Sequence, residues 1–302
     1  MSASMLKPGA RIAIGKTKTI YTVEEHPDLC WIENRDDITA DDDPSKTREI
    51  EGKALFATTV TCNVFALLKK LGIAVAFRVQ TDDTSFVAKR CRMIPIEVVV
   101  RRFAVGSYLK RSPELVVEEG APPHRFEDVV VELFLKTTRG ELIVNDETVV
   151  SGLNPGKGEE DPLMIYNPRE YGRYYLYHPK RPVTPESSLN RSLSVDQLGV
   201  KLVNIENIQE ISRRVFLLLE KAWERLDCRL IDFKIEFGIT ADGELVVADV
   251  IDNDSWRLRD QDWNELSKQV FRDGAGLDEV STVYELVAEL SRKFQAMQIS
   301  LP

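Results

Sequence analysis

Short bursts of alternating apolar and polar residues fill the first hundred positions of the chain. "RIAIGKTKTIYTV" has the period of two expected of a half-buried strand, "LCWIENR" reads as extended, and "AVAFRVQ" and "SFVAKRCRMIPIEVVVRRFA" predict further strands. One segment breaks the pattern. From about Ile50 to Leu71, residues Leu55, Val60, Val64, Leu67, Leu68 and Leu71 recur at helical spacing, and Gly72 supplies the stop. Strands crossed by one helix predict a small α+β lobe over 1–100, followed by a second α+β lobe over 101–302.

Within the second lobe, residues 137–195 change character. "GLNPGKGEEDP" and "YNPREYGRYYLYHPKRPVTPESS" are dense in glycine, proline and tyrosine, which predicts an ordered, loop-rich insertion whose tyrosines pack it onto the body. A helix is expected next, from about Asn207 to Leu226, with Ile208, Ile211, Val215, Leu218, Leu219 and Trp223 on one face. Two more follow, about Asp260–Arg272 and Leu277–Met297, the last carrying Val280, Val283, Leu286, Val287 and Leu290. No internal repeat is visible.

The stretch "LIDFKIEFG" (Leu230 to Gly238) carries the first chemistry. Ile231, Phe233, Ile235 and Phe237 face one way, and Asp232, Lys234 and Glu236 face the other. "ITADGELVVADVID" then supplies a turn at Asp242-Gly243 and a returning strand. With a two-residue Asp-Gly loop, Glu236 sits opposite Asp249, and two like charges across a ladder are destabilising unless something neutralises them. A divalent cation held by both carboxylates does so, and hard Mg²⁺ favours oxygen donors. The alternative is a solvated face whose charges settle on Lys234, and a three-residue loop would move Asp249 to the other side. Just downstream, "DVIDNDSWRLRD" crowds Asp249, Asp252, Asp254, Arg257 and Arg259 together, as at the rim of a site.

Elsewhere the charges are positive. In "IGKTKTIY", Lys16 and Lys18 fall on one face of a predicted strand beside Gly15, a pattern suited to nucleotide phosphates; edge lysines facing solvent would look the same. "PIEVVVRRFAVGSYLKR" ends an apolar strand in Arg101-Arg102, then Gly106-Ser107. A guanidinium and a hydroxyl at a glycine turn can hold a phosphate monoester, although Arg101 could instead pair with Glu97. "GLNPGKGE" is rejected as a phosphate loop, because its spacing is short and Gly158 follows Lys157 where Ser or Thr is needed.

Composition narrows the classes. The 302 residues are 43% hydrophobic, enough for two lobes with real cores, and the net charge of −9 argues against a nucleic-acid surface. No apolar run is long enough to span a bilayer, and no signal-peptide core is present. Four dispersed cysteines without CxxC spacing argue against structural zinc and against a disulfide framework, and fit a reduced, cytoplasmic setting. His26, His124 and His178 sit in polar or proline-flanked stretches and receive no catalytic role.

Taken in order, "GKTKTIY", "DDITADD" with "EIEGKA", "MIPIEVVVRRFAVGSYLKR", "LIDFKIEFG" and "VADVIDNDSWRLR" resemble the phosphoribosylaminoimidazole-succinocarboxamide synthase (SAICAR synthetase) family, from residue 15 to about 260. That resemblance implies a two-lobed α+β, ATP-grasp-like fold with antiparallel sheets and flanking helices. It further implies an ATP-dependent ligase that joins L-aspartate to 4-carboxy-5-aminoimidazole ribotide (CAIR) through an acyl phosphate, with Mg²⁺ required.

Carried over residue by residue, the resemblance has Gly15, Lys16 and Lys18 grip the ATP phosphates and Met93 contact adenine at the hinge between lobes. Glu236 and Asp249 hold Mg²⁺. Arg101, Gly106, Ser107 and Arg257 bind CAIR, Lys234 lies near its reacting carboxylate, and Asp232 orients Lys234 or the ribose. Lys268 and Arg272 align with basic residues near the sugar phosphate, and Asp42 with an aspartate that assists deprotonation of the incoming amine. The family commonly has glycine or asparagine where this chain reads Asp41-Asp42-Asp43-Pro44, which leaves the choice of acid open, and Arg259 replaces a familiar tryptophan. The insertion over 137–195 is longer than in compact members. No fused carboxylase domain, seen in some relatives, is expected. A related small-molecule phosphotransferase (a kinase) and a non-catalytic nucleotide-binding module remain the competing readings. Oligomeric state and the residues that bind aspartate are not legible.

Overall fold

Alternation in the first hundred residues does produce strands. The computed structural model describes residues 3–39, 44–199 and 204–300, and divides into two compact units. Unit 1 comprises Met1–Arg92, Val215–Leu230 and Gly238–Pro302; unit 2 comprises Met93–Arg214 and Ile231–Phe237. The units therefore interleave along the chain, whereas the pattern of elements suggested two consecutive stretches divided at residue 100. Long strands cause the difference: Cys91–Phe103 and Arg229–Thr240 each contribute to both units.

In unit 1, five antiparallel strands lie in the order Pro8–Ile14, Lys18–Val23, His26–Asn34, Ser85–Lys89, Phe77–Gln80. Val23, Leu29 and Val87 of these strands, with Leu6 just before the first, form a buried cluster against Trp31 and Val79. The helix Lys53–Lys70 is buried on more than the expected stripe, since Thr58, Thr59, Thr61 and Asn63 are also enclosed. Buried polar groups need partners. The Asn34 side chain donates to the Thr58 hydroxyl at 2.7 Å, and Asn63 donates to that of Ser291 at 3.0 Å.

The C-terminal helix runs Leu277–Arg292, and its Val280 and Tyr284 close a cluster with Ile38 and Ile50. The other helix expected there, over 260–272, is reduced to Gln269–Arg272. Asp260 takes the reason on itself. It accepts from the backbone and side chain of Asn264, both at 2.8 Å, which stabilises a turn in place of a helical start.

In unit 2, a sheet runs Ser188–Ser194, Arg173–Tyr177, Leu163–Tyr166, Arg125–Leu135, Cys91–Phe103 and then the Ile231–Phe237 portion of Arg229–Thr240. Three of those strands come from the segment expected to be loop-rich. The sequence signal was present in "YGRYYLYH": Tyr174 and Leu176 are buried while Arg173, Tyr175 and Tyr177 are partly exposed, which is strand alternation. Tyr177 packs against a cluster of Val99, Phe134 and Leu163, whereas Tyr171 is fully exposed and anchors nothing.

Trp223, at the end of the helix Ile205–Glu224, is fully buried in unit 1 between Trp256 and Phe294, with ring centroids at 5.3 and 4.8 Å. Truncation there leaves a cavity that rigid neighbours cannot refill. Trp223→Ala is expected to cost about 3–5 kcal/mol in a denaturant titration; a loss below about 1 kcal/mol would show that the site collapses.

Candidate active site

Each unit carries its own set of buried, paired charges. In unit 1, residues 15–17 form the tight turn between the first two strands, with Gly15 N–H donating to Lys18 O at 2.8 Å. Arg35 clasps this turn, donating to the carbonyls of Gly15 and Lys16 at 2.8 and 2.7 Å. Lys16 is therefore on the turn, while Lys18 begins a strand, so the two do not share a strand face as the alternation predicted. Gly15 has no left-handed φ, and a Cβ there would meet Lys18 O at an ordinary 3.5 Å. Its backbone makes no demand for glycine.

The Lys18 ammonium pairs with a carboxylate oxygen of Asp249. Asp249 follows the strand Leu245–Ala248 and has φ 63, a left-handed conformation costly for a residue with a Cβ. The loop before that strand is also not the one expected. Thr240 N–H donates to Glu244 O, leaving Ala241, Asp242 and Gly243 in a three-residue loop with Gly243 at φ 85. The extra residue undoes the register that set Glu236 opposite Asp249. Asp249 is aimed by its own strained backbone and not by the ladder.

Beyond Asp249, residues 252–255 fold against the start of the helix Lys53–Lys70. Asp254 is the hub: it pairs with Lys53 at 3.4 Å and Lys268 at 3.2 Å, and accepts from the Tyr284 hydroxyl at 2.6 Å. Burial opposes its charge, yet Lys53, Lys268 and Tyr284 together hold its carboxyl well below the usual carboxylate range. Asp252 goes the opposite way, its carboxyl raised by burial and by Asp254. The same pocket pushes the Tyr284 phenol upward through burial and the Asp254 charge.

In unit 2, Arg101 is almost wholly enclosed. Its guanidinium pairs with Asp232, donates to Glu132 at 2.7 Å, and approaches the Ser107 hydroxyl at 3.5 Å. Burial opposes its charge, but Asp232 and Glu132 more than compensate and strengthen its hold on the proton. Ser107 is delivered by Gly106, whose φ 58 and ψ −128 suit only glycine, and which opens the short helix Ser107–Arg111. Arg111 grips the other oxygen of Glu132 and also donates to the Pro179 carbonyl. Glu97 adds to the negative field at Arg101 but makes its ion pair with Lys234, accepting at 2.8 Å, and Lys136 donates to Glu236 at 2.6 Å. Asp232 accordingly orients Arg101, a role the sequence reading did not consider.

Unit 2 also contains a cavity of about 880 Å³, bounded by Arg111, Glu132, Met164, Tyr166, Tyr174 and Glu206 among others. Glu132 connects it to Arg101. Met93 is the first residue of unit 2 and is exposed. Arg257 and Arg272 lie in unit 1, Arg272 on the short helix Gln269–Arg272. Asp42, with Asp41 and Asp43, lies outside the described residues.

Sequence reasoning missed Lys53, Glu97 as the partner of Lys234, Arg111, Glu132 and Lys136. Strand neighbours and helix ends distant in sequence bring them to the singled-out residues, and local pattern does not show such pairings. No thiol is poised as a nucleophile, since burial pushes Cys62 up to about 12 and Cys30, Cys91 and Cys228 up to about 11. His178 is structural: its Nδ1 accepts from the Lys180 N–H at 3.1 Å, leaving Nε2 to donate to the Lys157 carbonyl at 3.1 Å. Among the described residues, no helix is long and apolar enough to cross a membrane, and no three metal-ligating side chains cluster.

A family model described as SAICAR synthetase matches residues 11–159 and 184–289. A phosphoribosylaminoimidazole-succinocarboxamide synthase of Chloroflexus aurantiacus is 36% identical over 293 residues, covering 93% of this chain and 96% of its own length. One from Roseiflexus sp. is 36% identical over 289 residues, with 93% and 96% covered. A solved SAICAR synthetase in complex with ADP superposes with a TM-score of 0.68 at 26% identity, covering 96% of this chain and 99% of that one.

The Asp254 hub has a measurable pH signature. Its folded-state pKa is depressed, so its contribution is complete above the unfolded-state value of about 3.9 and fades as pH falls below that. Asp254→Asn is expected to destabilise the protein near pH 7, with the deficit shrinking in denaturation curves taken below about pH 4. A pH-independent deficit would mean that the carboxylate charge is not what Lys53 and Lys268 require.

Proposed function

The chain belongs to the SAICAR synthetase family, and on that footing we propose that it is an ATP-dependent ligase joining L-aspartate to the carboxylate of CAIR, giving SAICAR, ADP and phosphate in purine biosynthesis. The observation that carries this reading is the family match over 11–159 and 184–289, within which every residue assigned a role falls, Asp42 included. The chemistry explains why such residues are needed. A carboxylate and an amine do not condense in water, so the carboxylate oxygen must first be phosphorylated, and the acyl phosphate must be kept from water until the amine attacks. No protein nucleophile is required, in keeping with the inert thiols.

In this reading, Gly15, Lys16 and Lys18 receive the nucleotide's phosphates, and Arg35 supports them by fixing the turn. Met93 contacts adenine. Arg101, with Gly106 and Ser107, binds the CAIR phosphate together with Arg257, and Asp232 and Glu132 hold the guanidinium ready for it. Lys234 meets the reacting carboxylate, Lys268 and Arg272 lie near the sugar phosphate, and Asp42 assists deprotonation of the amine. Residues 1–100 serve chiefly the nucleotide, and the remainder the other substrates.

Glu236 and Asp249 are proposed to hold Mg²⁺. What supports the fit is that each carboxylate already attracts a cation, Lys136 and Lys18 respectively, and that both are hard oxygen donors. Two protein carboxylates suffice for Mg²⁺, which keeps several waters and takes further oxygens from phosphates. Bound there, the ion would offset charge on the transferring phosphoryl group. Antiparallel sheets and a division into two units support kinship with ATP-grasp enzymes, and four unpaired cysteines support a cytoplasmic setting.

Two measurements test this. ADP release from ATP with CAIR is expected to proceed to stoichiometric SAICAR only when aspartate is present; steady ADP release with aspartate left unconsumed would indicate a phosphotransferase. Asp249→Asn is expected to lower turnover by about 10²-fold or more with the circular-dichroism spectrum unchanged, and undiminished activity would remove Asp249 from the metal site.

A further inference from the structure

Lys136 is the residue directly after the strand Arg125–Leu135, anchored through its backbone N–H to the Pro95 carbonyl at 2.9 Å. Its ammonium donates to Glu236 Oε1 at 2.6 Å. The exposures are lopsided: the Glu236 side chain is 8% exposed, and that of Lys136 is 43% exposed. A buried carboxylate is costly without a counter-charge. A half-exposed lysine, by contrast, can withdraw into solvent at little cost, because water solvates the ammonium as it leaves. The surroundings reinforce the demand for positive charge. Asp161 is close enough to Lys136 and Glu97 to feel both, and Glu97 already engages Lys234. Glu236 thus already holds a protein cation whose own side chain is half open to solvent.

We propose that Lys136 acts as an internal counter-ion for Glu236 in the nucleotide-free protein and must be displaced before a divalent cation can bind there. The inference rests on the reading of Glu236 as a metal ligand. It has a consequence for the order of events. A bare divalent ion must compete with a tethered ammonium at hydrogen-bond distance and therefore binds the free protein weakly. Nucleotide phosphates add oxygen ligands for the ion and acceptors for the released ammonium, so the metal enters with the nucleotide. Lys136 is in this sense a positioning residue: it holds the Glu236 side chain in place while no metal is bound.

The test is direct binding of Mn²⁺ alone to the nucleotide-free protein, followed by the electron paramagnetic resonance signal of free ion. Lys136→Met is expected to bind Mn²⁺ about tenfold or more tightly than the wild type. Lys136→Arg, which retains the cation, should remain weak, and the gain should vanish in Lys136→Met combined with Glu236→Gln. Thermal melts of all variants report folding separately. If Lys136→Met gains no affinity while Glu236→Gln weakens Mn²⁺ binding in the presence of ADP, the counter-ion role is overturned and the metal assignment survives. If Glu236→Gln leaves Mn²⁺ binding with ADP unchanged, the metal assignment itself falls and the proposal with it.

Discussion

A charge taken out of water must meet an opposite charge, and this constraint organises both units of the protein. Asp232 and Glu132 bracket the guanidinium of Arg101; Glu132 is shared with Arg111; Asp254 gathers Lys53, Lys268 and the Tyr284 hydroxyl. Such pairs contribute little net stability, because desolvation offsets most of the attraction, but each partner becomes costly to lose. Their value is geometric. A guanidinium held on two sides by carboxylates keeps one orientation, with a third nitrogen directed at the Ser107 hydroxyl at 3.5 Å.

Backbone features serve the same end. Gly106 takes a conformation open only to glycine and so turns Ser107 back toward Arg101. Asp249 accepts a left-handed backbone that its side chain resists, which is the kind of local strain tolerated where a carboxylate must be aimed. Arg35, by contrast, secures the Gly15–Lys16 turn through two backbone carbonyls.

Elements whose identity follows from local pattern were legible in the chain. Period-two alternation marked the strands of unit 1 and Arg229–Thr240, and helical spacing marked Lys53–Lys70, Ile205–Glu224 and Leu277–Arg292. Of the charged side chains singled out for their chemistry, Lys18, Arg101, Asp232, Lys234, Glu236 and Asp249 each meet an opposite charge. Where the reading missed, a nonlocal or competing interaction had the last word. Asn264 and Asp260 turned a helical pattern into a turn, and the three strands of the 163–194 segment were hidden by the prolines and glycines between them.

Sequence alone determined which residue types are available and, within an unbroken strand such as Arg229–Thr240, which of them share a face, because side-chain periodicity is a property of the backbone and needs no neighbour. Only tertiary structure decided who pairs with whom. Glu97 lies four residues from Arg101 along one strand, yet it meets Lys234, while Arg101 meets Glu132 and Asp232 on other strands. A three-residue loop, one longer than the Asp-Gly turn implied, was enough to undo the expected facing of Glu236 and Asp249. Register is set by the whole sheet and by the turn that closes it, and a shift of one residue exchanges every partner across a ladder.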